Sequence, residues 1–163
     1  MAKIADLAKY LNDNKVQYQI IAHDPAYTAH DVARASHVPD YELAKAIIVR
    51  ADGGFWMAVL RADQSIDQTL LRKALAATEL HFAREEDLSF LFPDCQTGAM
   101  PPFGNLYGVP VVVDVALSED KEIVFNACTH TRAFRMKYAD YERLVHPRIA
   151  VFAQSEYVGK DLE

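Results

Sequence analysis

The side chain best suited to chemistry in this sequence is Lys45, which directly precedes the apolar run Ala46–Val49. A lysine at the mouth of a buried strand either extends its ammonium group to water or faces a cavity that holds an anionic partner. In the second case the ammonium group could hold a phosphate or polarise a carbonyl. The residues alone favour the first alternative and leave the second open.

A second candidate is the segment GAMPPFGNLYG, residues 98–108, which contains three of the six glycines of the chain and two adjacent prolines. Glycine and proline here could simply shape an Ω-like connection. They could equally hold backbone N–H groups rigidly against a ligand. No G-K-[ST] follows, so the segment is not a phosphate-binding P-loop. Periodicity alone does not decide between the turn and the ligand cradle.

Three histidines recur every seven residues, at His23, His30 and His37. Pro25 interrupts any helix between the first two, and two helical turns separate the others by about 10.8 Å. The sequence also lacks H-E-x-x-H and paired Cys/His spacings. We therefore predict no metal site.

Nucleophilic catalysis by a side chain is also disfavoured, because no serine lies in a G-x-S-x-G context. Cys128 and His130 alternate near a strand end, and a structural role is the simpler interpretation for Cys128. His130 belongs to Asn126–Thr131, where polar residues interrupt an apolar strand, and such turns often border a site.

Composition limits the class of protein further. The chain has 163 residues, 51% of them hydrophobic, and a net charge of −6, which predicts one domain over residues 1–163. The acidic charge argues against DNA binding but permits a small contact with a nucleotide end. No apolar run suits a membrane span and no signal peptide is evident, so we expect a cytoplasmic protein. Cys95 and Cys128 could form one disulfide, but without a C-x-x-C pair we expect two buried, reduced thiols.

Hydrophobic periodicity and turn signals predict interspersed helices and strands. Helices are predicted over 3–13, from Thr28 (with Asp31 in capping position), from Ser65 (with Gln68), within 84–94 and over 138–145. Strands are predicted within 16–23, as a hairpin of 46–50 and 55–60, and within 109–117, 121–127, 132–138 and 147–153. The expected fold is mixed α/β (α+β), with an antiparallel-rich sheet and helices packed outside.

Four stretches in order, HDPAYTAHDVA, AKAIIVRADGGFWMAVLRAD, LFPDCQTGAMPPFGNLYGVPVVVD and IVFNACTHTRAFRMKYADYERLV, resemble the YbaK/ProX aminoacyl-tRNA deacylase family. Its members are free-standing relatives of the editing domain inserted in bacterial prolyl-tRNA synthetase. The resemblance extends from His23 to Phe152. It implies a single domain with a curved, mostly antiparallel sheet, hydrolysis of an aminoacyl ester on tRNA, and no metal or organic cofactor.

The resemblance also implies site residues. The functional lysine of the family falls on Lys45, and backbone donors for the oxyanion fall on Gly98, Ala99 and Met100. A side chain at Gly98 is expected to crowd the backbone away from the ester. The implied substrate contacts are Tyr27, Thr28, Pro101, Phe103, Gly104 and His130. The size of the amino-acid pocket would be set among Tyr27, Met100, Phe103 and Phe125.

The function implied is trans-editing: removal of a small amino acid such as Ala, Cys, Ser or Thr from a mischarged tRNA, above all tRNA-Pro. Partners would be the acceptor end of that tRNA and, in one version, an aminoacyl-tRNA synthetase that presents it. The alternative is a non-catalytic module of the same fold that binds an amino acid, an aminoacyl ligand or a synthetase. Hydrolysis of a mischarged tRNA would distinguish the two.

Overall fold

Short helices and strands alternate along the computed structural model, which describes residues 4–96 and 98–155. The α-helices of this part are α1 (Ile4–Asp13), α2 (Ala29–Ala35), α3 (Gln68–Ala74), α4 (Glu85–Leu91), α5 (Val115–Ser118) and α6 (Tyr138–Val145). The strands are β1 (Tyr18–Ala22), β2 (Ala44–Ala51), β3 (Gly54–Arg61), β4 (Gln64–Ile66), β5 (Leu80–Phe82), β6 (Val111–Asp114), β7 (Glu122–Asn126), β8 (Arg132–Lys137), β9 (Arg148–Ala150) and β10 (Ala153–Ser155). The predicted mixed α/β class is confirmed. Position 3, the predicted start of the first helix, lies outside the described residues.

The strands form three hydrogen-bonded groups rather than the one curved sheet expected. A five-stranded sheet has the order β5-β2-β3-β6-β9, a three-stranded sheet the order β1-β8-β7, and β10 pairs with β4. Most pairings are antiparallel, as predicted, while β6 pairs in parallel with both β3 and β9. A parallel bridge between Leu43 and Val124 connects the chain before β2 with β7.

The predicted hairpin of β2 and β3 is confirmed, with a register from Ala44 opposite Arg61 to Ala51 opposite Gly54. Its two turn residues, Asp52 and Gly53, have φ values of 50° and 85°. Positive φ at both central positions is what a tight hairpin turn requires, because it matches the twist of the flanking strands.

Helix caps were predicted correctly in one case and wrongly in another. Thr28 caps α2, where its hydroxyl accepts a hydrogen bond from the Asp31 N–H at 3.1 Å. The cap of α3 is Asp67, whose carboxylate accepts from Leu70 N–H at 3.0 Å, and not Ser65. Ser65 lies in β4, a short strand that was not predicted, where it pairs opposite Gln154 of β10.

The predicted strand over 109–117 is shorter, because it ends at the buried Asp114 and α5 follows at once. The Asp114 carboxylate caps α5 by accepting from Ala116 N–H at 3.0 Å. It also accepts from the N–H groups of Phe152 and Ala153, each at 2.9 Å. Asp114 therefore ends β6, caps α5 and holds the chain at Phe152 and Ala153. These hydrogen bonds offset the free-energy cost of burying its carboxylate.

Buried apolar residues form three clusters around these sheets. The largest packs α1 and α6 against the inner faces of β2, β3, β6, β7 and β8. A second, smaller cluster lies between α2 and the face of the sheet that carries Leu43, Val124 and Ala133. A third packs α3 and Phe152 on the other face of the five-stranded sheet. None of the helices in the described ranges is long and apolar enough to cross a bilayer.

The expectation of reduced thiols is wrong, because Cys95 and Cys128 form a disulfide. They lie 33 residues apart in sequence. Backbone hydrogen bonds bring the two cysteines together, because the loop that follows Cys95 is hydrogen-bonded to the backbone of Cys128. Sequence spacing without a C-x-x-C motif gave no signal of this proximity.

Candidate active site

Lys45 is the second residue of β2, directly after Ala44. Alternation along the strand places Ala44 in the main core cluster and Lys45 on the opposite face. The side chain is half-buried, and Nζ donates a hydrogen bond to the carbonyl oxygen of Ala62 at 3.2 Å. The stem thus packs along the protein while the ammonium group is held near the strand edge, as expected of a lysine that enters a buried strand.

A second cation near this strand end is Arg61, which lies opposite Ala44 in the hairpin. Its guanidinium pairs with the Asp120 carboxylate, at 2.6 Å for the shorter contact. Burial raises the pKa of the Asp120 carboxyl, and the Arg61 guanidinium opposes that rise. The charge of Arg61 is therefore compensated inside the protein.

The segment before α2 rests on the turn between β7 and β8. Ala26 N–H donates to the His130 carbonyl at 3.1 Å, and His23 N–H donates to the Thr131 carbonyl at 2.9 Å. The rings of Tyr27 and His130 contact each other with centroids 4.8 Å apart. Tyr27 nevertheless remains 72% exposed. An exposed aromatic ring held against a histidine offers a face on which a planar ligand can stack.

The loop that contains Gly98 is tied to the same turn through a residue that the sequence analysis did not single out, Gln96. Its backbone N–H donates to the Cys128 carbonyl at 2.9 Å, and its side-chain oxygen accepts from His130 N–H at 2.7 Å. Cys128 N–H in turn donates to the Ala99 carbonyl at 2.8 Å. Cys128 itself has a φ of 71°. A glutamine in a loop carries no pattern of its own, so only the tertiary structure reveals this role.

The loop itself is mostly packed inside the protein. Gly98 is exposed, whereas every residue from Ala99 to Gly104 is buried. Gly98 has a φ of 83°, and a Cβ added there would meet nothing within 4 Å. The protein itself therefore leaves room for a side chain, so crowding of the ester stays a prediction, and the left-handed backbone is what favours glycine here.

Backbone donation is also narrower than expected. Ala99 N–H donates to the Gln96 carbonyl at 2.9 Å, in a turn that shapes the loop. This amide is committed to the protein, so the oxyanion role expected of Ala99 is corrected. The backbone roles of Gly98, at the exposed tip, and of Met100 stay proposals, while the Met100 side chain packs into the main core.

Phe103 is a core residue and not a substrate contact, which corrects a further expectation. It is fully buried, with its ring packed edge-on against Tyr10, Phe125 and Tyr141. Phe125 lies in the same cluster, so neither ring sets the size of an open pocket.

Gly104 is also required for packing, because a Cβ there would approach the Val109 carbonyl oxygen to 2.5 Å. Pro101 is buried too, and Pro102 accepts a hydrogen bond at its carbonyl from the buried Tyr141 hydroxyl at 2.7 Å. The expectation of substrate contacts at Gly104 and Pro101 is thus corrected: these residues anchor the loop.

Predicted site residues therefore converge on the carboxyl end of β7. Tyr27, His130 and the exposed tip at Gly98 meet around the turn that follows this strand. Lys45 is two residues beyond Leu43, whose backbone bridges Val124 of the same strand. Thr28 lies next to Tyr27, with its hydroxyl engaged in the helix cap.

One concave surface lies near this region, and a larger one lies away from it. A depression of about 380 Å³ is lined by residues of the α2 segment, including Ala26, Tyr27 and Arg34. A larger groove of about 820 Å³ lies between the end of α1 and strands β1 and β8, and none of the predicted site residues lines it. Choosing the site by cavity volume alone would therefore have selected a groove without any predicted site residue.

The three evenly spaced histidines do not converge. His30 Nδ1 lies 2.9 Å from the Asp40 carboxylate, and His23 Nδ1 lies 2.7 Å from the Asp24 carbonyl oxygen. Within residues 4–96 and 98–155, no group of three or more His, Cys, Asp or Glu side chains is placed to hold a metal ion.

Comparison with known proteins decides the family. A family model described as the aminoacyl-tRNA editing domain matches residues 23–144. The chain belongs to this family. The matched range of the editing domain contains Tyr27, Lys45, Gly98 and His130, and so includes the whole convergence at the end of β7.

Relatives of the editing domain occur alone and within longer proteins. The chain is 30% identical to the prolyl-tRNA editing protein ProX of Acetoanaerobium sticklandii over 152 residues, covering 88% of this chain and 90% of ProX. It is 27% identical over 134 residues to a proline–tRNA ligase of Nitrosomonas eutropha, covering 81% of this chain but 22% of the ligase. This editing domain therefore matches nearly all of one relative and a part of the other.

A solved structure supports the fold. The crystal structure of a candidate trans-editing enzyme for prolyl tRNA synthetase superposes with a TM-score of 0.80 at 16% identity. The match covers 95% of this chain and 99% of that one. At this identity the likeness establishes the shared editing-domain fold.

Proposed function

We propose that this protein is a trans-editing deacylase, which hydrolyses the ester between a wrong amino acid and the terminal adenosine of a mischarged tRNA, above all tRNA-Pro. The observation that supports the proposal is the grouping of the Tyr27–His130 contact and the exposed Gly98 around the β7–β8 turn, with Lys45 two residues beyond the bridge from Leu43 to β7. The 30% identity to ProX over most of both chains supports the same substrate class.

An aminoacyl ester is already activated, so its hydrolysis requires a positioned water and a donor for the developing oxyanion rather than a strong protein nucleophile. The half-buried Lys45 would hold the terminal phosphate or the ester region. The Gly98 N–H would donate to the oxyanion. The vicinal hydroxyl of the substrate's own ribose would help to activate the water, and this sequence of steps needs no metal ion.

The terminal base would stack on the exposed Tyr27 ring, which His130 supports from behind. The contact would be confined to the acceptor end, in keeping with a net charge of −6, which opposes broad binding along a phosphate backbone. A synthetase that presents the tRNA would compensate for the small contact area. We place this activity in the cytoplasm, where aminoacyl-tRNA is used.

Selectivity would come from the size of the amino-acid pocket, which rejects larger side chains sterically and so favours Ala, Cys, Ser or Thr. A synthetase gains only about 1–3 kcal/mol from one missing methylene, and a second hydrolytic site corrects the resulting errors. With Phe103 and Phe125 in the core, the α2 segment and the β7–β8 turn would bound this pocket.

The decisive experiment is a deacylation assay with tRNA-Pro charged with alanine, cysteine, serine, threonine or proline. Rapid loss of one small mischarged amino acid, with prolyl-tRNA spared, is the expected result. Hydrolysis of none of them would overturn the proposal and would favour a non-catalytic binding module of the same fold.

A further inference from the structure

The depression beside Tyr27 carries two charged side chains, Asp31 and Arg34, that the site described above does not use. Its volume is about 380 Å³, near the lower end of the range for small-molecule pockets. Tyr27, Asp31 and Arg34 are all exposed, so a ligand can enter the depression from solvent. The remaining lining residues are small or apolar: Pro25, Ala26 and Ala35.

The two charged side chains lie side by side without pairing. Asp31 and Arg34 are three residues apart on α2, a spacing that puts side chains on the same helix face with Cβ atoms about 5–6 Å apart. In the part of the chain that the structure describes, the Asp31 carboxylate and the Arg34 guanidinium make no hydrogen bond or ion pair, either with each other or with another residue. A hydrogen-bond acceptor and a set of donors are therefore both available to a ligand in this depression.

Backbone contacts fix the depression relative to the β7–β8 turn. On one side of Tyr27, Ala26 N–H donates to the His130 carbonyl at 3.1 Å. On the other side, the Thr28 hydroxyl accepts from Asp31 N–H at 3.1 Å and so fixes the start of α2. Tyr27 lines the depression and also contacts the His130 ring. A nucleotide whose base occupies the depression would therefore lie beside the turn at which the ester is expected.

The chemistry of the pair distinguishes between bases. A carboxylate accepts a hydrogen bond from an exocyclic amine, and a guanidinium donates to an unprotonated ring nitrogen. Adenine presents these groups next to each other, as the 6-amino group and N1. Guanine presents a carbonyl at C6 and an N–H at N1, so it would place an acceptor against Asp31 and a donor against Arg34. Cytosine shares the adenine pattern, but the ester is carried by the terminal adenosine, and the depression adjoins the ester region.

We propose that Asp31 and Arg34 recognise the terminal adenine of the substrate: the Asp31 carboxylate accepts from the 6-amino group, and the Arg34 guanidinium donates to N1. The base stacks on Tyr27 at the same time. This inference rests on the proposed function and adds base-specific recognition at the reacting nucleotide. The edge of the base that carries these groups is accessible because the 3′ end of a tRNA is single-stranded.

The test uses tRNA-Pro charged with alanine, or with whichever small amino acid the deacylation assay selects, prepared with three terminal nucleosides. These are adenosine, purine riboside, which lacks the 6-amino group, and 1-deazaadenosine, which lacks N1. In the parent protein each deletion is expected to lower kcat/KM by about 3- to 10-fold relative to adenosine, since one hydrogen bond is lost. Asp31→Leu should abolish the difference between adenosine and purine riboside and keep the difference for 1-deazaadenosine. Arg34→Met should do the reverse, because each variant removes the partner of one group only.

A matched variant controls for the loss of an exposed charge. Glu85→Leu removes an exposed acid from the first turn of α4 and is expected to leave both differences as they are in the parent. Parent-like differences in both Asp31→Leu and Arg34→Met would overturn the inference. Equal rates of the parent on all three nucleosides would overturn it as well.

Stable 3′-amide analogues of the same three tRNA ends provide a readout that does not depend on hydrolysis. Their dissociation constants are expected to follow the same pattern across the parent, Asp31→Leu and Arg34→Met. A parent that hydrolyses no ester but shows this pattern in affinity would overturn the proposed function and support the adenine site. Equal affinities for the three analogues would overturn the adenine site, whatever the rate of hydrolysis.

Discussion

At the scale of single residues, Lys45 combines a half-buried stem with an ammonium group held at a strand edge by the Ala62 carbonyl. Lys45→Ala is expected to lower kcat/KM by about 100-fold or more, because a positioned charge at the reacting region is lost. The thermal midpoint should hardly change, since the alanine fits the strand. Lys73→Ala, which removes an exposed lysine on α3, provides the matched control. Full activity of Lys45→Ala would refute the assignment.

Gly98 is constrained by its backbone and not by its surroundings. Its φ of 83° is accessible to glycine and, at some cost, to asparagine, while a β-branched residue strongly avoids it. Gly98→Val is therefore expected to displace the loop tip and abolish deacylation, whereas Gly98→Asn should retain a measurable fraction. Steady-state kinetics on both variants checks this order. If valine and asparagine were equally active, the position of the tip would not matter to the reaction.

At the scale of elements, Gln96 joins the Gly98 loop to the β7–β8 turn through its hydrogen bond to His130 N–H. Gln96→Met keeps the shape and removes the acceptor, so we expect kcat to fall by about 10-fold as the two elements lose their register. Gln96→Glu keeps the acceptor and should restore the rate. Amide hydrogen exchange at His130 provides a readout independent of activity and should accelerate in Gln96→Met alone.

An outcome in which Gln96→Met lowers only the thermal midpoint, with kcat unchanged, would reduce Gln96 to a stabilising contact. The buried part of the loop supports the positioning role. Gly104 packs against the Val109 carbonyl, and the Pro102 carbonyl accepts from Tyr141, so the exposed tip extends from a fixed base. Because this base is already fixed, Gly98 would present its N–H without the entropy cost of ordering the loop at each turnover.

At the scale of the whole molecule, the disulfide links Cys95 and Cys128, which lie 33 residues apart in sequence, and so closes the loop between them. Loop-closure entropy for that length predicts that reduction lowers the free energy of unfolding by about 3–4 kcal/mol. Urea unfolding of the oxidised and reduced protein measures this difference. Cys95→Ala should unfold at the same urea concentration with or without reductant, and a redox-dependent midpoint in that variant would contradict the explanation.

The mixed α/β class, the β2–β3 hairpin and the Thr28 cap were all predictable, because each depends on residues close together in the chain. The Ser65 cap and the long strand over 109–117 were predicted wrongly. In both cases a distant segment decides where an element ends: β10 pairs with Ser65, and the chain at Phe152 binds the Asp114 carboxylate. Local patterns contain no information about such partners.

The same division holds for the candidate site. The sequence by itself determined that Lys45 enters a buried strand, that Gly98 begins a rigid glycine–proline loop, and which family the motifs resemble. Only the tertiary structure decided that Phe103 is a core ring, that Ala99 N–H is committed to Gln96, and that Gln96 joins the Gly98 loop to the β7–β8 turn. The physical reason is that burial and hydrogen-bond pairing depend on contacts between residues far apart in sequence, whereas strand entry and turn formation depend on neighbours.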